Sequence, residues 1–174
     1  MLDVAVSYNR YKFIGYEFLT WLWFVVESEQ NLIKNYLPHS ASIQVGNRIK
    51  LENHRNQNLE TITIKGDEAG LEEGILALRK GALVTELNIL YETQNLVWQF
   101  TIRGESLNIG NLKTQIAGPL EKKENIDEQI LEKADQYDGV IKLVDHLYKN
   151  FIMLRVSTDW EEKTVVKIKN WIFS

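Results

Sequence analysis

The chain's three histidines, His39, His54 and His146, are its best candidates for metal binding or proton transfer near neutral pH, yet their placement argues against both. They fall in three separate stretches. Only His146 has an acid beside it, Asp145, and adjacent residues on a helix point about 100° apart, so the two make a poor chelate. The chain has no cysteine, which removes disulfides, thiolate metal sites and cysteine nucleophiles. Glycine-rich phosphate loops, Gly-x-Ser-x-Gly elbows and His-Glu-x-x-His pairs are missing from the sequence. The paired acids Glu72-Glu73 and Glu161-Glu162 have the chemistry to hold Mg²⁺ in a nuclease. Both pairs stand where a helix is expected to begin, and complementing the helix dipole accounts for them more simply. Glu17 differs because apolar bulk flanks it; it is expected at the rim of a central helix or against a basic partner such as Arg48 or Arg103. Neither an enzyme, a metal nor a cofactor is expected, and no small-molecule substrate.

Charge offers a second chemistry. The net charge of −4 opposes a broadly basic, phosphate-neutralising surface, but it leaves room for a local one. Arg48, Lys50, Arg55 and Lys65 outnumber Glu52 and Glu60 between Asn47 and Lys65, while acid collects between Glu121 and Asp138. Those four cations are the candidate nucleic-acid-binding residues, chosen on charge alone; an ordinary solvated face is the plainer account. Trp21 is the best candidate for stacking on a base. No basic cluster adjoins it, and core packing explains it more readily.

The elements that would position these groups follow from periodicity. Tyr16, Leu19, Trp23 and Val26 form one helical stripe and Phe18, Leu22 and Val25 another, which predicts a central helix from Tyr16 to about Asn35, apolar around most of its girth. Ser42–Val45 and Arg48–Glu52 alternate across Gly46-Asn47 and predict a hairpin; Leu59–Lys65 predicts a third strand. A helix is expected over 68–80, with Gly81 just past its end. Three strands, Leu83–Glu92, Leu96–Arg103 and Leu107–Ile116, then form an antiparallel meander, with Trp98, Phe100 and Ile102 on a core face and Val97, Gln99 and Thr101 on a wetter one.

A long helix beginning near Asn125 carries Ile130, Ala134, Tyr137, Ile141, Val144, Tyr148, Phe151 and Arg155 in a seven-residue repeat. Packing on the sheet accounts for the repeat; the sharper alternative is a seam of Tyr137, Ile141, Val144, Tyr148 and Phe151, within the chain or in a homodimer. A last helix, capped by Thr158 or Asp159, runs to about Ile172. The expected architecture is one α+β domain over residues 1–174: a mostly antiparallel sheet of about six strands, helices on one face, and a long helix towards the carboxy end. No basic leader is visible, and the apolar run ending at Val26 is shorter than the roughly 20 residues of a membrane span. A cytoplasmic location without membrane contact is expected.

The phrase Gly15-Tyr-Glu-Phe-Leu-Thr-Trp-Leu-Trp-Phe24 followed by Glu27, together with Glu73-Gly-Ile-Leu-Ala-Leu-Arg-Lys-Gly81 and the long late helix, resembles the bacterial recombination-associated RdgC-like proteins. The resemblance covers most of the chain and is similar to the carboxy-terminal part of those longer proteins. It implies sequence-independent DNA binding by a dimeric assembly that modulates recombination. The motifs that carry it are packing motifs, so no DNA-contact residue transfers by position. The expected function is therefore non-catalytic binding, with DNA as partner; the alternative is a structural or protein-interaction module with no nucleic-acid role.

Overall fold

The structure, a computed structural model, describes the backbone of residues 4–55, 58–66, 68–114 and 126–174, and the side chains of 14–53, 59–66, 72–114, 127 and 130–174. Helices α1 (Val4–Ser28) and α2 (Gln30–Asn35) lead into strands β1 (Ser42–Arg55) and β2 (Asn58–Lys65). Helix α3 (Glu68–Arg79) precedes β3 (Leu83–Glu92), β4 (Val97–Arg103) and β5 (Asn108–Thr114). Helix α4 (Ile126–Arg155), a π-helical turn (Trp160–Thr164) and α5 (Val165–Phe173) complete the described chain. The sheet has five strands in the order β2-β1-β3-β4-β5, every neighbour antiparallel. The fold is α+β.

The expected hairpin at Gly46-Asn47 is not formed, which is why the sheet has five strands and not six. β1 runs straight through it as one strand of 14 residues. Gly46, Asn47 and Arg48 arch outward opposite the single residue Asn88, between the pairs Val45↔Ile89 and Ile49↔Leu87. A β-bulge of this kind absorbs extra residues without ending the ladder. Neither Gly46 nor Asn47 has the positive φ that a tight hairpin turn needs. Gly46 is instead a close-approach residue: a Cβ there would lie 2.0 Å from Asn88 Oδ1. The central helix also differs from expectation, because Glu29 leaves helical dihedrals (φ −124, ψ 51) and separates α2 from α1. The caps expected at Asn125 and the strand end at Ile116 lie outside the described residues. Asp159 makes no capping hydrogen bond and pairs with Lys163 at 2.8 Å instead.

Helix α3 ends as its sequence predicts. Gly81 takes φ +86, Gly81 N–H donates to Leu78 O (2.9 Å) and Ala82 N–H to Ala77 O (3.0 Å), the paired bonds of a Schellman cap.

Helix α1 is the middle of the molecule. Phe18, Leu19, Trp21, Leu22, Trp23 and Val25 have no exposed surface, so both apolar stripes are covered. One side lies on β1 and β3 of the sheet; the other meets α4 and α5 through Phe18–Phe151, Trp21–Phe151 and Trp23–Trp171 ring contacts at 5.2–5.5 Å. Glycines let these bulky layers approach. A Cβ on Gly15 would stand 1.8 Å from Gly104 O, one on Gly74 2.5 Å from the Trp23 ring, and one on Gly139 2.8 Å from the Trp98 ring. Each notch seats α1, α3 or α4 on the same side of the sheet. We expect Gly15→Ala to lose ~2 kcal/mol or more of unfolding free energy in urea titration, because backbone must move to admit the methyl. Gly110→Ala on β5, where the nearest outside atom is 4.0 Å away, should change stability little.

Candidate nucleic-acid interface

With the described helices on one side, strand alternation turns the other set of side chains to the opposite face. The register places Thr63, Lys50, Glu86, Arg103 and Asn108 opposite one another in a single row across all five strands. Arg48 and Lys65 form the neighbouring pair, and Lys113 stands opposite Gln99 further along. Three of the four cations chosen on charge, Arg48, Lys50 and Lys65, therefore share the helix-free face. The fourth, Arg55, ends β1 opposite Asn58, and its side chain lies outside the described residues. Sequence reasoning passed over Arg103 and Lys113. Arg103 was legible, since it continues the wetter Val97-Gln99-Thr101 alternation by one more step.

The cations are not equivalent. Lys50 Nζ sits 2.8 Å from Glu52 Oε1, and Arg48 reaches Glu86 at 3.7 Å. Lys65, Arg103 and Lys113 are exposed and make no ion pair among the described residues. All four side chains of these two pairs are half-buried, so the pairs hold Lys50 and Arg48 against the sheet. In the centre of the face Asn88 and Thr101 are buried between larger neighbours. Asn88 Nδ2 donates to Phe100 O (3.0 Å) and Thr101 Oγ1 (3.1 Å), while Gln99 Nε2 donates to Asn88 Oδ1 (3.0 Å). This network pins the strands beneath the charged row.

Other expected groups lie elsewhere. Trp21 is fully enclosed and cannot stack on a base. Glu17 meets neither Arg48 nor Arg103. It accepts from Arg155 Nε at 3.0 Å, and the same guanidinium lies 5.3 Å from the Trp160 ring, tying α1 to the end of α4 and the π-helical turn. The five residues of the expected seam divide. Val144 and Phe151 belong to the core, Tyr148 is half-buried, and Tyr137 and Ile141 are exposed. Leu107, Ile109, Tyr137, Ile141, Val144 and Tyr148 line an apolar cleft of about 410 Å³ between α4 and β5.

Among the described residues no group of three or more His, Asp or Glu comes together as a metal ligand set. No described helix is long and apolar enough to cross a membrane. Neither a protein-family model nor a curated protein sequence matches the chain.

Beside the bulge, Glu27, Arg48, Gln99 and the backbone of Gly46 and Asn47 line a cleft of about 320 Å³. Burial pushes the Glu27 carboxyl above its ordinary value of 4.5. A carboxyl whose folded value is raised favours the fold when protonated, and that contribution fades as pH climbs through the folded value. Glu27→Gln should therefore melt at a higher temperature than the parent at pH 7. The gap should close as pH falls below 4.5, measured by thermal unfolding across pH.

Proposed function

We propose that this protein is a non-catalytic binding protein whose helix-free sheet face contacts the DNA backbone without reading sequence. The supporting observation is the gathering of Arg48, Lys50, Lys65, Arg103 and Lys113 on one face of a chain that is acidic overall. Phosphate contacts need accessible cations: Lys65, Arg103 and Lys113 are exposed and make no ion pair among the described residues, whereas Lys50 and Arg48 must first leave half-buried carboxylate partners. The face carries no aromatic side chain among the described residues, so base stacking is not part of this reading. The resemblance to RdgC-like proteins adds an expectation of recombination control in the cytoplasm. Its motifs include Gly15, Gly74 and Trp23, which hold the helices together and leave the DNA role to the opposite face.

Fluorescence anisotropy with labelled duplex and single strands at low and moderate salt tests the proposal. Binding should weaken steeply with salt, and duplex should bind at least as well as single strand. Replacing Arg48, Lys50 and Lys65 by Gln should lower the slope of log K against log salt by about one per lost phosphate contact. Glu86→Gln, which frees Arg48, should tighten binding. No binding at low salt would overturn the reading.

A protein-interaction module is the second reading, favoured by the exposure of Tyr137 and Ile141 beside Leu107 and Ile109. Ile141→Asp is the suitable variant, because a charge at Val144 or Phe151 would enter the core. Association removed by Ile141→Asp with unchanged circular dichroism would favour this reading over DNA.

A further inference from the structure

An open sheet has two edges, and the two edges of this one differ. β5 is interrupted: its pairing with β4 shifts between Gln99 and Thr101, Asn111 within it adopts a positive φ of 54, and Leu107 just before it one of 55. Irregularities of this sort discourage further strand pairing. β2 has no such irregularity. It pairs with β1 through eight consecutive residue pairs without a shift, from Arg48↔Lys65 to Arg55↔Asn58. It contains no proline, and Thr61, Ile62, Thr63 and Ile64 are all β-branched. Among the described residues no strand pairs with its outer side.

The direction of its backbone groups follows from one bond. Gly66 N–H donates to Asn47 O at 3.1 Å, which makes Arg48↔Lys65 a non-hydrogen-bonded pair of the antiparallel ladder. By alternation Ile62 and Ile64 turn their N–H and C=O groups towards β1. Leu59, Thr61, Thr63 and Lys65 turn theirs outward. Four alternate residues thus present donors and acceptors away from the sheet, a row able to pair with another strand.

We infer that two copies of this chain join β2 to β2 as antiparallel edge strands, with Thr63 on the two-fold axis. In this register Thr63 exchanges both backbone bonds with the partner's Thr63, and Thr61 does so with the partner's Lys65. The intervening Ile62 comes beside the partner's Ile64 on the helix-covered face, and Thr63 beside Thr63 on the other; apolar β-branched and Thr–Thr cross-strand pairs are both favourable. Moving the register by two residues, so that Ile62 falls on the axis, sets Glu60 against Ile64 and loses that match. The pairing is isologous, as a two-fold interface requires. Its axis stands perpendicular to the sheet, so the helix-free faces of both copies point the same way, and Lys50 and Lys65 of each are the cations nearest the axis.

This inference does not rest on DNA binding, and its test contains no nucleic acid. Thr63→Pro removes only an outward N–H, so the bonds to β1 remain. In sedimentation velocity the parent should travel at twice the chain mass and Thr63→Pro at the single chain mass, with unchanged circular dichroism. The lack of cysteine allows a second, independent readout. Directly opposed residues of a hydrogen-bonded pair have Cα atoms about 5.5 Å apart, within disulfide range. Thr63→Cys should therefore oxidise to a covalent dimer. Thr61→Cys, about 14 Å from its own counterpart in this register, should not. A parent at single chain mass, a dimer that survives in Thr63→Pro, or Thr61→Cys cross-linking as fast as Thr63→Cys would each overturn the inference.

Discussion

The fold depends on enclosing one helix. α1 is apolar on both of its stripes, and a helix of that kind cannot lie on a surface; it must be covered all round. The sheet supplies one side, with Ile49, Leu51, Leu87, Ile89 and Phe100 buried beneath α1 and its neighbours, and α4, the π-helical turn and α5 supply the other through Phe151, Trp160 and Trp171. The aromatic bulk would hold these layers apart if every contact carried a Cβ. Gly15 against Gly104 and Gly74 against Trp23 remove that obstacle at two of the crossings. Two buried indole N–H groups, those of Trp21 and Trp23, meet no hydrogen-bond acceptor among the described residues. Each such group costs about 1–3 kcal/mol, which the apolar burial of the same side chains exceeds.

The asymmetry of the sheet is a consequence. Because enclosure of α1 draws the described helices to one side, the other face needs only to be compatible with water. Its side chains are then free to carry charge. The row Lys50, Glu86, Arg103 alternates in sign, and alternation across strands stabilises a solvated sheet while leaving a modest excess of positive groups. The same arrangement that serves stability keeps cations such as Arg103 and Lys65 extended towards solvent. In the proposed DNA contact, phosphates take the place of the local carboxylates on this face.

Much of this was legible in the sequence because it is periodic. The stripes of α1, the alternation of Trp98, Phe100 and Ile102, the Gly81 cap and the long α4 follow from spacing within one element. What escaped depends on contacts between elements. Gly46-Asn47 looks like a turn locally, but Asn88 on β3 fills the space in front of Gly46 and the ladder continues. Glu17 needed a cation, and the nearest in space is 138 residues away at Arg155. The seven-residue repeat of α4 is real as a pattern, yet Val144 and Phe151 are consumed by the core while Tyr137 and Ile141 stand exposed beside Leu107 and Ile109 at the start of β5. Lys113 could not be placed with Arg48 before the strand order was known.

One face of the sheet encloses α1, and the proposed role of the other, contact with a polyanion, is open to measurement. Amide chemical-shift mapping during titration with a short duplex oligonucleotide tests it most directly. Perturbations should concentrate at Arg48, Lys50, Lys65 and Arg103 and vanish as salt rises. Perturbations confined to the α4–β5 cleft, or none at low salt, would contradict it.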